Sequence, residues 1–442
     1  VFSDRKLPPH QHQWTVFVYR LALCGGLVLL GLAGLHFYSI SSGISVYGFI
    51  DTPTFITQAI YFRDEGELYT NPLRAGGPLD EMGPTSPWFK FPPAYLLAYM
   101  PWLPPEQWYE LGWSDALGAD VLRSLLIHLW QLHVVRYLLC LAACLWVLRP
   151  QQSTAFLIHG AIMGLLFTPF FESLYGLIFD NLLLSIIVAM LCLSKTRWNT
   201  VSGFLVGIAA MLKLYPAVLC LWLLACCRRR AALWLLLACA SLLLLSLLVF
   251  GIEPHRFYYF NLLPLLLNET SLTEPGNFSL GRFFVLLMDN DKQAMQVFAI
   301  FKNILLLLSA FVLWQSRPAS NRPDANAAIK LSLAVSMLLL YLPNYWSNYQ
   351  LVLLVPILTL LANAYNKGYL WRTQGAVSTL CWLLMLFTVD SGGVYTPLSL
   401  GKLQPLASHI VSCRFAVPLL LWGLCMAVTM HTIRAAPRVN TP

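Results

Sequence analysis

Apolar runs separated by short polar stretches recur along this chain, near 15–40, 122–148, 155–171, 174–193, 231–251, 294–315, 326–342, 346–365, 373–389 and 409–433. A helix needs roughly 20 apolar residues to cross a bilayer core about 30 Å thick, fewer if it crosses only in part. Each run therefore predicts a membrane helix. The stretch 199–227 is too long for one straight helix and too short for two full spans. Pro216 divides it, because proline withdraws a backbone donor and clashes with the preceding turn. Lys195 and Arg197 precede this stretch and Arg228, Arg229 and Arg230 follow it. Two basic ends on one side predict a hairpin of two short helices. The pattern is that of an all-α polytopic membrane protein, a bundle of about twelve membrane helices forming a single membrane-embedded domain over 1–442.

Composition strengthens this picture. The chain is 58% hydrophobic and only 11% charged, whereas soluble domains carry about 25% charged residues. So few charges cannot cover a water-facing surface. The first apolar run follows Arg5 and Lys6 and is too long for the core of a cleavable signal, so it reads as a retained first span. The net charge of +8 is explained by basic loops that fix orientation rather than by an anionic partner, and no nucleic-acid ligand is implied. The 11 cysteines lie mostly inside apolar runs, with no metal-ligand spacing, and act as small apolar filler.

Charge also orients the chain. Arg5/Lys6, Arg149, Lys195/Arg197, Arg228–Arg230, Arg317/Arg322, Lys367/Arg372 and Arg434/Arg438 fall on one side, and nearly every carboxylate falls on the other. The basic side is cytoplasmic by the positive-inside rule. Long loops at 41–121 and 252–293, and a shorter one at 390–408, then face outward. Long loops in a compact protein are usually functional, so the extracytoplasmic face carries the chemistry. In the first loop, Phe55, Ile56, Ala59, Ile60 and Phe62 predict a short amphipathic helix over 53–66 that lies in the interface. Pro92 and Pro93 then open an apolar helix too short to span, expected to dip into the outer leaflet. Trp88, Trp102, Trp108, Tyr109 and Trp113 fit an interfacial aromatic belt.

Few residues carry chemistry. Asp51 lies at the outer membrane surface, before Thr52 and Pro53. There it serves either as a proton acceptor facing a lipid-held partner or as an ordinary helix cap. Lys213 is placed about 21 Å along a helix rising from Asn199, in the outer part of the membrane at the break before Pro216. An ion at that depth points to function and suits an anionic headgroup such as a phosphate; the alternative is snorkelling to the interface. Asp180 and Asn181, and Glu172 above them, are polar groups at similar depth. Arg282, after Asn277 and Ser279, is suited to phosphate through its planar fork. Asn268 and Asn277 head glycosylation sequons, which recur by chance. Arg136, His128 and His133 face the bundle interior.

Taken in order, these elements resemble glycosyltransferase family 87 of the GT-C class, polytopic mannosyltransferases that use polyprenyl-phosphate mannose. Asp51 followed by Phe55 resembles the family's early Asp with a following aromatic. Leu68, Tyr69 and Pro72, and then Phe89, Lys90, Phe91, Pro92 and Pro93, resemble its LY-x-x-P and F-x-(Y/F)-P-P elements. Gly176 to Asn181 sits where a GQ-x-N-like turn occurs. Gly203, Gly207, Lys213 and Pro216 resemble the G-x-x-x-G…K-x-x-P helix, the most specific match. Asn277, Ser279 and Leu280 match N-x-S-L, and Pro343, Trp346, Asn348 and Tyr349 resemble S-P-x-x-W-x-x-(H/Y). Asn348 stands where many members have histidine, and Asp180 replaces glutamine.

The resemblance implies a GT-C-like bundle with long extracytoplasmic loops, in a multi-pass protein of the bacterial cell inner membrane. It implies a polyprenyl-phosphate sugar donor, a glycan or glycolipid acceptor, membrane lipids as surroundings, and no cofactor or metal. Asp51 would be the catalytic base. Lys213, Lys90 and Arg282 would hold phosphate, with Asn277, Asp180, Asn181, Tyr215, Trp346, Asn348 and Tyr349 lining the substrate site. The alternative is a lipid or small-solute transporter or flippase, whose broken helices come in paired repeats. Only one broken hairpin is legible in this sequence, with no partner in the second half.

Overall fold

The computed structural model describes residues 59, 62, 91–98, 116–150, 153–170, 173, 180–194, 196, 198–226, 229–264, 277–288, 290–317, 324, 326–343, 346–366, 373–385 and 413–435. Their regular structure is helical throughout. Thirteen α-helices are labelled here: α1 Ala116–Leu148, α2 Thr154–Leu165, α3 Asp180–Ser194, α4 Ser202–Leu212, α5 Cys220–Cys226, α6 Arg229–Phe250, α7 Ile252–Phe257, α8 Leu280–Leu287, α9 Asp291–Gln315, α10 Ala327–Tyr341, α11 Leu354–Asn366, α12 Thr373–Leu384 and α13 Ala416–Ala435. Five stretches are long and apolar enough to cross a membrane: Gln131–Leu148, Arg230–Phe250, Asp291–Gln315, Asn348–Asn366 and Ala416–Arg434. Among the described residues, the apolar runs from 122 onward become helices close to where their lengths place them, and the run 15–40 lies outside the described residues.

The centre of the bundle is α10 and α11. Every residue of α10 from Ala327 to Leu340 is buried, and so are Leu354–Ala362 and Ala364 of α11. A helix apolar on all sides belongs inside a bundle. Ser332 and Ser336 survive there because each hydroxyl donates to the carbonyl one turn back, Ala328 at 2.8 Å and Ser332 at 2.9 Å. Around this core, α6 and α9 turn leucines outward, with Leu233, Leu236, Leu248 and Leu307 all more than half exposed. Lipid, not water, is the solvent such a face requires.

Packing of α4 against α6 is the most extensive helix pairing described. Gly203 lies against Ala231, and Gly207 against Leu235 and Ala238. A Cβ on Gly203 would stand 1.9 Å from the Ala231 carbonyl oxygen, and one on Gly207 would stand 2.7 Å from the Ala238 Cβ. The G-x-x-x-G spacing thus lets two backbones touch. Because residue numbers rise together along both helices, α4 and α6 run in the same direction. The chain between them, 213–226, must therefore return to where α4 began, which makes the 199–227 stretch the expected hairpin.

A second break was not legible. The runs 326–342 and 346–365 read as separate spans, yet α10 is only 15 residues long and ends inside the bundle. Leu342 leaves it in extended conformation (φ −73°, ψ 129°), Pro343 follows, and the chain turns back through a 3-10 segment, Ser347–Leu353, into α11. At the other end of α10, buried Lys330 meets the Asp324 carboxylate and the Ser316 carbonyl that ends α9.

Two expectations about the first loop shift. The 3-10 segment Pro93–Ala98 buries Ala94, Tyr95 and Leu96 completely or nearly so against the protein core rather than in a leaflet. Ala59 and Phe62, from the predicted amphipathic helix, are helical and pack inward. Ala59 is buried in the core, and the Phe62 ring meets Phe250 edge-on at 4.9 Å.

Candidate functional site where two helix breaks meet

The first break begins at Lys213. Its amide still closes the last turn onto Ala209 at 3.0 Å, but its backbone is extended (φ −146°, ψ 131°). Pro216 then seats the following 3-10 turn, Tyr215–Leu219. This kink swings the Lys213 side chain into the bundle, where it is only 4% exposed. Its ammonium donates to the Tyr349 hydroxyl at 3.2 Å. It also stands 4.3 Å from the Tyr349 ring centroid and 5.2 Å from each of those of Phe91 and Tyr215. Tyr215 and Tyr349 stack at 5.4 Å, as do Phe91 and Tyr95 at 4.5 Å. Three rings from three distant segments therefore clasp one cation, and their π-faces offset part of its desolvation.

The second break supplies Tyr349 and reaches a third segment. Trp346 is extended (φ −91°, ψ 166°) and pairs with Asn277 as an isolated antiparallel bridge. Asn277 opens a tightly bonded turn. Its side-chain oxygen accepts from the Ser279 amide at 2.9 Å, the Ser279 hydroxyl caps α8 by accepting from the Arg282 amide at 3.2 Å, and the Arg282 guanidinium donates to the Asn277 carbonyl at 2.9 Å. The N-x-S-L spacing is thus a turn followed by a helix cap. Asn277 is 1% exposed, so its sequon is inaccessible in the fold. Burial draws the Arg282 pKa below its ordinary value, and one face of its fork is committed to Asn277.

Asn348 is buried beside Tyr349. Gln350, one residue on, is fully buried, and neither of its amide atoms meets a partner. The segment 347–353 packs on α3, whose first turn holds Asn181. That side chain is 1% exposed and donates to the His133 carbonyl of α1 at 3.1 Å, while its oxygen has no protein partner. Of the three residues expected to face the bundle interior, His133 is buried and Arg136 half-buried, but His128 is exposed.

Of the residues singled out from sequence, the fold joins Lys213, Tyr215 and Tyr349 directly, and Trp346 with Asn277 and Arg282. Asn348 lies within the second break and Asn181 beneath it. Asp51 and Lys90 lie outside the described residues, as does the Asp180 side chain; the Asp180 backbone opens α3. Sequence reasoning missed Arg414. It is fully buried, its guanidinium 5.3 Å from the Phe278 ring and donating to the Met385 carbonyl at 3.0 Å. The following Phe415 stacks on Phe283 at 4.5 Å. A lone arginine inside the last apolar run, near the end opposite Arg434, was the available signal.

Chemically, the arrangement offers one deeply buried ammonium among aromatic faces, a second cation on the adjoining turn, and buried amides nearby. Such a site can hold an anion flanked by a hydroxyl-rich group. The family model of glycosyltransferase family 87 matches residues 89–343, more than half of the chain and a stretch that includes the first break and ends at Pro343, where the second begins. No curated protein and no solved structure matches the chain.

Proposed function

The chain belongs to glycosyltransferase family 87, and from that premise we propose that it transfers a hexose, mannose by family resemblance, from a polyprenyl-phosphate donor to a hydroxyl of a glycan or glycolipid. The observation that carries this reading is Lys213, a buried cation clasped by aromatic rings at the meeting of two helix breaks within a membrane protein. A soluble nucleotide sugar has no route to such a depth, whereas a polyprenyl chain delivers its headgroup there.

In the proposed step the acceptor oxygen attacks the anomeric carbon while the Asp51 carboxylate takes its proton. The bond from that carbon to the phosphate oxygen breaks, and its electron pair leaves on the polyprenyl phosphate. Lys213 meets the charge that develops there, in surroundings of low dielectric where such an interaction is strongest. Arg282, with Lys90, assists on the same phosphate. Single displacement inverts the anomeric centre. Charge asymmetry between the loops supports an extracytoplasmic site, and the bundle would reach about twelve membrane helices once residues outside the described set are counted. Family membership weighs against a transporter, even though the second half of the chain does contain a partner break.

The test is sugar transfer by purified protein from a polyprenyl-phosphate hexose. Asp51→Asn is expected to abolish transfer while leaving donor binding intact, and Lys213→Met to weaken donor binding more than acceptor binding. Undiminished transfer by Asp51→Asn, or equal weakening of both substrates by Lys213→Met, removes the corresponding assignment.

A further inference from the structure

Another cation lies inside the apolar part of this bundle, and neither the family pattern nor the proposed step uses it. Lys302 is in the middle of α9, a stretch long and apolar enough to cross the membrane. It is 14 residues from Ser316, about 21 Å along the helix, and helical side chains lean toward the N-terminus. Its ammonium therefore lies in the far half of the hydrocarbon, away from the end that carries Arg317. Placing a charge there is costly, and such residues are paired or functional.

Lys302 has no anionic partner among the described residues. Its ammonium stands over the rings of Tyr341 at 4.5 Å and Phe298 at 5.1 Å. This repeats the surroundings of Lys213, with one difference. Lys213 is almost wholly buried, whereas Lys302 is partly exposed at the margin between the buried face of α9 (Phe298, Leu305) and its lipid face (Ile304, Leu307). Position ties the two lysines together. Tyr341 is the last residue of α10, and the break that begins there supplies Tyr349 to Lys213. Two lysines thus flank one helix break, one inside the site and one at its edge toward the lipid.

We propose that Lys302 is a phosphate-binding position at the lipid-side mouth of the site, taking the phosphate of the polyprenyl carrier as it passes between the membrane and Lys213. The inference rests on the polyprenyl-phosphate reading above. Transfer turns a phosphodiester with one negative charge into a phosphomonoester that bears close to two at neutral pH. The departing carrier then needs more countercharge than the arriving one, and a partly exposed ammonium at the mouth supplies it. Tyr341 and Phe298 hold that ammonium at the mouth and keep it from the headgroup layer.

The experiment titrates detergent-purified protein with a short-chain polyprenyl phosphate, with the matching polyprenol, with phosphatidylglycerol and with inorganic phosphate, reading bound lipid by native mass spectrometry. The wild type is expected to prefer polyprenyl phosphate to polyprenol. Lys302→Met should reduce that preference about tenfold, equivalent to about 1.4 kcal/mol, and Lys302→Arg should largely restore it. Inorganic phosphate at millimolar concentration should not compete, because the prenyl chain holds the headgroup in place. An unchanged preference in Lys302→Met overturns the proposal. So does equal competition by phosphatidylglycerol, which would make Lys302 a general headgroup anchor, or by inorganic phosphate, which would make the site a free-anion site. Should Lys302→Met not fold, Lys302→Gln takes its place with the same expected loss. A wild type that binds polyprenyl phosphate through Lys302 but transfers no sugar from a polyprenyl-phosphate hexose would refute the functional reading alone.

Discussion

Replacing Gly203 with alanine should damage this protein out of proportion to one methyl group, because α4 has no room for it. The added Cβ would stand 1.9 Å from the Ala231 carbonyl oxygen, 2.8 Å from its carbon and 3.2 Å from its Cα. All three are backbone atoms of α6, so no rotamer change relieves the clash. Ordinary contact starts near 3.4 Å, so the helices must part by about 1.5 Å along the most extensive helix pairing among the described residues. Overpacking of this kind costs about 1–3 kcal/mol, outweighing the roughly 1 kcal/mol that alanine gains over glycine in a helix. The displaced helix is the one that ends at Lys213, and a 1 Å misplacement of a reacting group costs about 100-fold in rate. Gly423 in α13 is the control, because a Cβ there meets nothing within 4 Å. Thermal unfolding midpoints in detergent and sugar-transfer rates give both readouts. Gly203→Ala should lower the midpoint and cut transfer by at least tenfold, whereas Gly423→Ala should hold or raise the midpoint and keep activity. If the two variants behave alike, the close approach of α4 to α6 does not position Lys213.

Other substitutions separate the roles of individual side chains. Lys213→Met should lower the unfolding midpoint only slightly, since the lost bond to Tyr349 is offset by removal of a buried charge, while transfer falls about 100- to 1,000-fold; a large loss of stability would instead make the lysine a structural clasp. Gln350→Met should raise stability, because a buried amide without partners costs about 1–3 kcal/mol, and should lower transfer if the amide meets a sugar hydroxyl; a drop in midpoint refutes the first part. Lys330→Met leaves Asp324 facing no cation, which should cost near the low end of about 3–5 kcal/mol since Asp324 is partly exposed; adding Asp324→Asn should recover part of that in the same melts. His255, just beyond α6, accepts from the Ser246 hydroxyl at 2.9 Å and donates to the Gly251 carbonyl at 2.8 Å. Burial holds its pKa below 6.5, so its contribution is complete above that value and is lost as pH falls toward the lowered pKa. His255→Gln should flatten the midpoint between pH 7 and pH 5, and an unchanged acid slope would refute the assignment.

Sequence made the helices legible because lipid imposes one simple requirement, long apolar runs, and this chain writes it plainly. It also exposed the first break, since Pro216 and a lysine inside an apolar run are two independent anomalies. The second break passed unnoticed for a physical reason. Pro343 falls in a short gap between two apolar runs, where a proline is unremarkable, and only the 15-residue length of α10 betrays it. Contacts between distant segments were beyond reach. Asn277 and Trp346 each belonged to a family motif, but nothing in either motif says that their backbones pair. The fold likewise gives Gly203 and Gly207 a reason that the motif lacks, the carbonyls of Ala231 and Leu235. Lys302 and Arg414 are single residues without a motif, and their meaning comes only from the rings placed beside them.

The two breaks also explain why the site lies where it does. A helix that ends within a bilayer leaves backbone groups unpaired, and hydrocarbon cannot satisfy them. Each break is therefore costly alone, and here each is met by other segments. The Tyr349 hydroxyl from the second break accepts a hydrogen bond from the Lys213 ammonium at the first. The extended backbone at Trp346 pairs with Asn277, whose turn is fixed by Ser279 and Arg282. Phe278 of that turn lies against Arg414, which is anchored on Met385. Residues about 70 to 200 positions apart thus form one connected polar layer inside an apolar bundle, where low dielectric strengthens each bond and penalises each missing one. A change that loosens either break should be felt at the other. Lys213, with one foot in each, is where that coupling meets the chemistry.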